Sequence, residues 1–166
     1  KLCRYAIGIE YDGQHFKGWQ RQIGVITIQE SLEDAIGRVA AHPVKLIAAG
    51  RTDTGVHATG QVAHFDSSAK RTLLNWQRGI NTLSPDGVSV SWIISVDPHF
   101  NARFSATSRR YRYIIFNRPT AQPILRHNVS WVHETLDLES MRKAGSYLIG
   151  KHDFSAFRSS RCQSHS

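Results

Sequence analysis

Cysteine is scarce. Only Cys3 and Cys162 occur in 166 residues, near opposite ends of the chain, which implies neither a disulfide framework nor a zinc knuckle. Such usage suits a reducing compartment, and a cytoplasmic location is expected. Long apolar runs are missing as well. None approaches the roughly 18 to 20 residues of a membrane helix, and Lys1 to Glu10 lacks the apolar stretch of a signal peptide. No membrane association or export is expected. The sequence contains neither a Gly-x-Gly-x-x-Gly run nor a Walker motif, so no nucleotide cofactor is indicated. Histidine is more abundant, with nine residues, but His57 and His64 have no cysteine partner and no His-Glu-x-x-His spacing, so no metal site is expected. Acidic residues are outnumbered: 13 Asp and Glu face 21 Lys and Arg, a net charge of +8. A surface this basic attracts polyanions and makes nucleic acid the leading partner class, although charge speaks to association and not to fold.

What is present is enough apolar material for a core: 40% hydrophobic residues suit one compact domain or two small ones sharing a sheet. Tyr5, Ile7, Ile9 and Tyr11 alternate with Ala6, Gly8 and Glu10, the period of a strand with one buried face, and Asp12-Gly13 turns the chain. Thr27 and Glu30 form a capping box ahead of Ile28, Leu32, Ala35, Ile36 and Val39, which fall on one helical stripe. Short strands are predicted over 44–49 and 60–65, a helix over 71–81, and a strand over 88–96. Gly79 weakens the last turn of that second helix. The order strand, helix, strand, strand, helix, strand is the split βαβ, or ferredoxin-like, arrangement. The pattern then restarts with strands near 111–116 and 129–132 and a helix over 138–149, capped by Asp137 and ended by Gly150. The fold class is therefore α+β: two ferredoxin-like domains sharing a mostly antiparallel sheet, residues 1–103 and 104–166, the second incomplete in this chain.

Three clusters carry chemistry. In Gly50-Arg51-Thr52-Asp53-Thr54-Gly55-Val56-His57-Ala58 a carboxylate stands between two glycines with a guanidinium two positions away. The glycines let the backbone bend and a bulky ligand approach. Asp-x-Gly is also a common turn tripeptide, but a nearby cation favours the ionised form that a nucleophile or sugar-side stabiliser needs. Asp53-Thr54-Gly55 is shared with aspartic proteases, whose sites need two carboxylates holding one proton. A single copy, with Arg51 beside it, argues against that chemistry. The run Arg110-Tyr111-Arg112-Tyr113, if a strand, puts tyrosines on one face and arginines on the other, suited to stacking on bases and binding phosphates. A core tyrosine pair beneath a solvated basic face fits the same pattern. The third cluster, Lys17-Gly18-Trp19-Gln20-Arg21-Gln22, has either an RNA-facing aromatic or a buried anchor in Trp19.

Together with Glu10-Tyr11-Asp12-Gly13, Phe100-Asn101-Ala102-Arg103-Phe104-Ser105-Ala106 and Gly150-Lys151-His152-Asp153-Phe154, these runs closely resemble the TruA family of tRNA pseudouridine synthases, in order and across nearly the whole chain. The resemblance implies cofactor-free isomerisation of uridine to pseudouridine in the anticodon stem-loop of tRNA by a homodimer. It also implies that Asp53 is the catalytic aspartate, that Tyr111 lies against the target base and that Arg51 helps hold the flipped nucleotide. Arg21 and Arg110 match basic positions that meet the RNA backbone. The family's chains are longer, hence the expectation of an incomplete second domain. The chemistry is consistent: the bond from uracil N1 to ribose C1′ breaks and one from C5 forms, with positive charge developing on the sugar as in glycoside cleavage. Attack on C1′, addition to the uracil ring and removal of a sugar proton are all tasks open to Asp53. A non-catalytic RNA-binding module of similar fold is the alternative reading.

Overall fold

The computed structural model describes residues 2–157. Strand β1 (Cys3–Tyr11) is followed by helix α1 (Ile28–Ala40), strands β2 (Ile47–Ala48) and β3 (Ala58–Ser67), helix α2 (Leu73–Leu83) and strand β4 (Val88–Val96). They form a four-stranded sheet in the order β2-β3-β1-β4 in which every neighbouring pair is antiparallel, the ferredoxin-like arrangement. Tyr5, Ile7, Ile9 and Tyr11 point from β1 into the core beside Phe65, Val90, Trp76 and the α1 stripe.

Helix α1 starts where the capping box requires: Thr27 is fully buried and its Oγ1 accepts the Glu30 N–H at 3.4 Å. It stops at Ala41, in the left-handed region at φ 60°, where His42 N–H bonds Gly37 O. The weak point predicted in α2 has a packing reason. A methyl group on Gly79 would lie 2.9 Å from Val39 Cγ2, so the missing side chain lets the two helices approach. β2 is only two residues long, shorter than 44–49 suggests, because Leu46 N–H is taken by the Glu33 carboxylate at 3.0 Å instead of a strand partner.

The face of the sheet away from the helices is partly covered by residues 98–102. Arg4 donates to both Asp66 oxygens at 2.7 Å and to Phe100 O at 2.8 Å, and His64 Nδ1 accepts the Ala102 N–H at 3.1 Å.

Compact unit 1 is Lys1–Arg112 and unit 2 is Tyr113–Ser166. Residues 104–112 go with the first of these units. Within unit 2, strands β5 (Ile115–Asn117) and β6 (Ser130–Val132) form a parallel pair, and helix α3 (Leu138–Ser146) is capped by Asp137 as predicted. Among the described residues the strands make a four-stranded sheet in unit 1 and a two-stranded sheet in unit 2. The strand expected over 111–116 begins only at Ile115, so Tyr111 and Tyr113 do not alternate on a strand.

Candidate functional site

Residues 49–57, between β2 and β3, have no regular secondary structure, and the chain after β1 holds them from two sides. On one side, Thr52 O accepts the Trp19 N–H at 2.9 Å and Thr52 Oγ1 lies 2.8 Å from Tyr11 Oη. On the other, His57 Nδ1 accepts the Gly13 N–H at 3.2 Å and lies 3.0 Å from Asp12 Oδ1. Two glycines make this approach possible. A methyl on Gly13 would lie 2.1 Å from Val56 O; one on Gly18, at φ 83°, would lie 2.8 Å from Thr52 O. Neither position has room for a side chain.

The clamp is itself anchored. Gly18 O and Trp19 O accept the Ile28 and Gln29 N–H groups, donors in the first turn of α1 that no helical carbonyl can satisfy. Trp19 is 2% exposed, with its ring 6.0 Å from that of Tyr11, which resolves it as a buried anchor and not an RNA-facing aromatic. The loop bearing Asp53 is thereby tied to β1 and to the start of α1.

Asp53 is exposed in the middle of this loop. Its turn is closed by the main chain, Val56 N–H to Asp53 O at 3.2 Å with Gly55 at φ 79°, so the carboxylate is not consumed as the turn former. Arg51 is also exposed, and among the described residues no ion pair joins it to Asp53. Tyr111, 71% exposed, reaches the same loop: its hydroxyl would lie 3.8 Å from a methyl on Gly50. Arg110, next to it, is exposed. Tyr11 lies beneath. Burial pushes its hydroxyl above the ordinary tyrosine value; hydrogen bonds with Thr52 and Gln61 oppose the rise and the Tyr111 hydroxyl adds to it. Gln61 also donates to Gly50 O at 2.7 Å.

Arg21 is committed elsewhere. Its guanidinium lies 3.2 Å from Glu30 and 3.2 Å from Glu33, with about half of the side chain still exposed. The structure therefore brings Asp53, Arg51 and Tyr111 to one loop and its rim, and turns Arg21 toward α1. Tyr11, Thr52, His57, Gln61 and Arg109 were not singled out as functional by sequence reasoning. Tyr11 carried only the signal of a core strand residue, Thr52 and His57 stood in the Asp53 run without a pattern to distinguish them, and Gln61 and Arg109 fell outside the quoted runs.

Comparison with known proteins matches residues 7–105 to the tRNA pseudouridine synthase family. A protein of Colwellia psychrerythraea (strain 34H) named tRNA pseudouridine synthase A is 53% identical over 163 residues, covering 98% of this chain and 63% of the relative. Its namesake from Alcanivorax borkumensis is 52% identical over 166 residues, covering 99% of this chain and 62% of the relative. That of Aeromonas hydrophila subsp. hydrophila is 54% identical over 161 residues, covering 97% and 60%. The chain spans about three fifths of the length of these relatives. The resemblance carried by the sequence runs is thus borne out, and the chain belongs to the tRNA pseudouridine synthase family.

Proposed function

We propose that the protein to which this chain belongs isomerises uridine to pseudouridine in the anticodon stem-loop of tRNA, with Asp53 as its catalytic carboxylate. The observation that supports this most is the exposed Asp53 on a loop clamped by Tyr11, Trp19 and His57, with the Tyr111 ring at its rim. A rigidly held carboxylate beside an exposed aromatic is the arrangement a flipped base and a sugar-centred reaction need.

The reaction balances within the substrate. The N1–C1′ bond breaks, C5 bonds to C1′, and the proton on C5 is replaced by one on N1, without net oxidation, so the isomerisation needs no cofactor. Asp53, as the anion, stabilises or captures the positive charge developing on the sugar. The uridine leaves its stack at a cost of a few kcal/mol, which stacking on Tyr111 offsets in part. An aromatic face holds the detached base while letting it turn. Arg51 holds the flipped nucleotide, and Arg110 and the exposed part of Arg21 meet backbone phosphates. We take the enzyme to act on tRNA in the cytoplasm and as a homodimer, with unit 2 opening its second domain.

The competing RNA-binding module, which the kinship with enzymes disfavours, would bind tRNA and leave its uridines intact. The test is incubation of full-length protein with unmodified tRNA transcript, followed by mapping of pseudouridine. New pseudouridine in the anticodon stem-loop supports the proposal; stoichiometric binding with every uridine unchanged contradicts it.

A further inference from the structure

Residues 106–114 have no regular secondary structure, yet Tyr111 among them is set at the rim of the Asp53 loop. Something other than a ladder of backbone bonds must fix the ring there. The side chain that does so is Arg109. Its Nε and Nη2 both donate to Ala49 O, at 3.0 and 2.6 Å, and Nη2 also donates to Arg103 O at 3.2 Å. Ala49 is itself fixed, because its N–H donates to Val62 O on β3 at 2.8 Å. One guanidinium therefore joins Ala49, the first residue of the loop, to Arg103, ahead of the segment that carries Tyr111, and to that segment itself through Arg109. Gly50 leaves the space: a methyl there would lie 3.4 Å from Arg109 Nε and 3.8 Å from the Tyr111 hydroxyl, so both side chains lie over a residue without one.

We propose that Arg109 is a positioning residue for the reaction, which holds Tyr111 against the Asp53 loop and does not itself grip RNA. The inference rests on the reading of Tyr111 as the residue against the target base. Two N–H groups of a planar fork on one carbonyl fix the direction of the chain as well as its distance, which a lysine ammonium, a point charge on a flexible stem, does only in part. With Tyr111 two residues on, within about 7 Å of extended chain, a loosened anchor displaces the ring directly.

The test uses full-length protein and single-turnover pseudouridine formation on tRNA transcript, with tRNA affinity measured in parallel. Arg109→Ala is expected to slow the reaction about ten- to a hundredfold, the scale of a group displaced by about 1 Å, with affinity and its salt dependence little changed. Arg109→Lys recovers part of the rate. The double variant Arg109→Ala, Tyr111→Ala reacts about as slowly as Tyr111→Ala alone, since the anchor has no ring left to hold. Should Arg109→Ala fail to fold, Arg109→Gln and Arg109→Lys carry the same cycle. A slow Tyr111→Ala beside a fully active Arg109→Ala overturns the inference alone, as do multiplicative effects in the double variant. Loss of affinity with a shallower salt slope overturns it in favour of a phosphate contact. A fully active Tyr111→Ala overturns the reading of Tyr111 and this inference with it.

Discussion

The hydroxyl groups of Tyr11 and Thr52 lie 2.8 Å apart, and Thr52 immediately precedes Asp53. Tyr11 belongs to β1, so the hydrogen bond ties the loop to the central strand of the sheet. Tyr11→Phe keeps the ring in the core and removes this tie. It is expected to cost about 1 kcal/mol of stability, the net worth of one hydrogen bond. Single-turnover rates should fall while tRNA affinity holds. Thr52→Val and the double variant complete the cycle; equal rates in wild type and Tyr11→Phe would show that the tie does not position Asp53.

Gly18 and Gly24 both have positive φ, 83° and 77°, but only Gly18 faces another chain segment, a methyl there lying 2.8 Å from Thr52 O, whereas Gly24 has open space. Substitution by alanine costs each about 1 to 2 kcal/mol for the left-handed backbone. Gly18→Ala must in addition push the Thr52 backbone away. Urea unfolding and activity together separate the two effects: Gly18→Ala should lose more stability than Gly24→Ala and should alone lose turnover.

His64 is almost fully buried and accepts the Ala102 N–H at Nδ1. Burial, and then the Arg4 cation, push it below its ordinary 6.5, while Asp66 opposes them. The sign follows. Above the unfolded value neither state is charged and the full stability is present; as the pH falls below about 6.5 the unfolded chain takes up a proton that the folded one resists, and stability declines. His64→Asn keeps an acceptor near the Nδ1 position and cannot be protonated in this range. Its melting temperature should fall less between about pH 7 and pH 5 than that of the wild type. An unchanged pH slope would locate the titration elsewhere. At lower pH Asp66 adds a second decline: its hydrogen bond from Arg4 holds it below the usual carboxylate value, and that stability is lost as acid protonates it.

If the basic residues grip phosphates, tRNA affinity falls with salt by a slope of about 0.7 to 0.9 per contact. Arg110→Ala, at an exposed position, should flatten the slope by up to about one unit. Arg21→Ala removes a cation that also faces Glu30 and the buried Glu33, so it should lower thermal stability as well. A flat salt dependence in the wild type would contradict the RNA reading altogether.

Much of the first unit was legible because local signals and tertiary packing agree there. The alternation of Tyr5, Ile7, Ile9 and Tyr11 and the Thr27–Glu30 box each mark an element that the core then uses. The Asp53 loop was legible from its glycines and charge. Its supports were not, since the contacts of Gly13 with Val56 and of Gly18 with Thr52 join residues far apart in the chain. The 111–116 run misled because alternating aromatic and basic residues satisfy the period of a strand without supplying a partner strand. That Arg21 faces two carboxylates was not legible, because Glu30 and Glu33 stand on a helix whose facing cannot be read until the helix is packed.

The central claim is that Asp53 does chemistry and does not serve folding or RNA affinity. Asp53→Asn preserves the shape of the side chain and removes its charge at an exposed position whose turn is closed by backbone. In full-length protein assayed on tRNA transcript, the variant should melt with the wild type, bind tRNA with similar affinity and form no pseudouridine. Substantial turnover by Asp53→Asn would contradict the account.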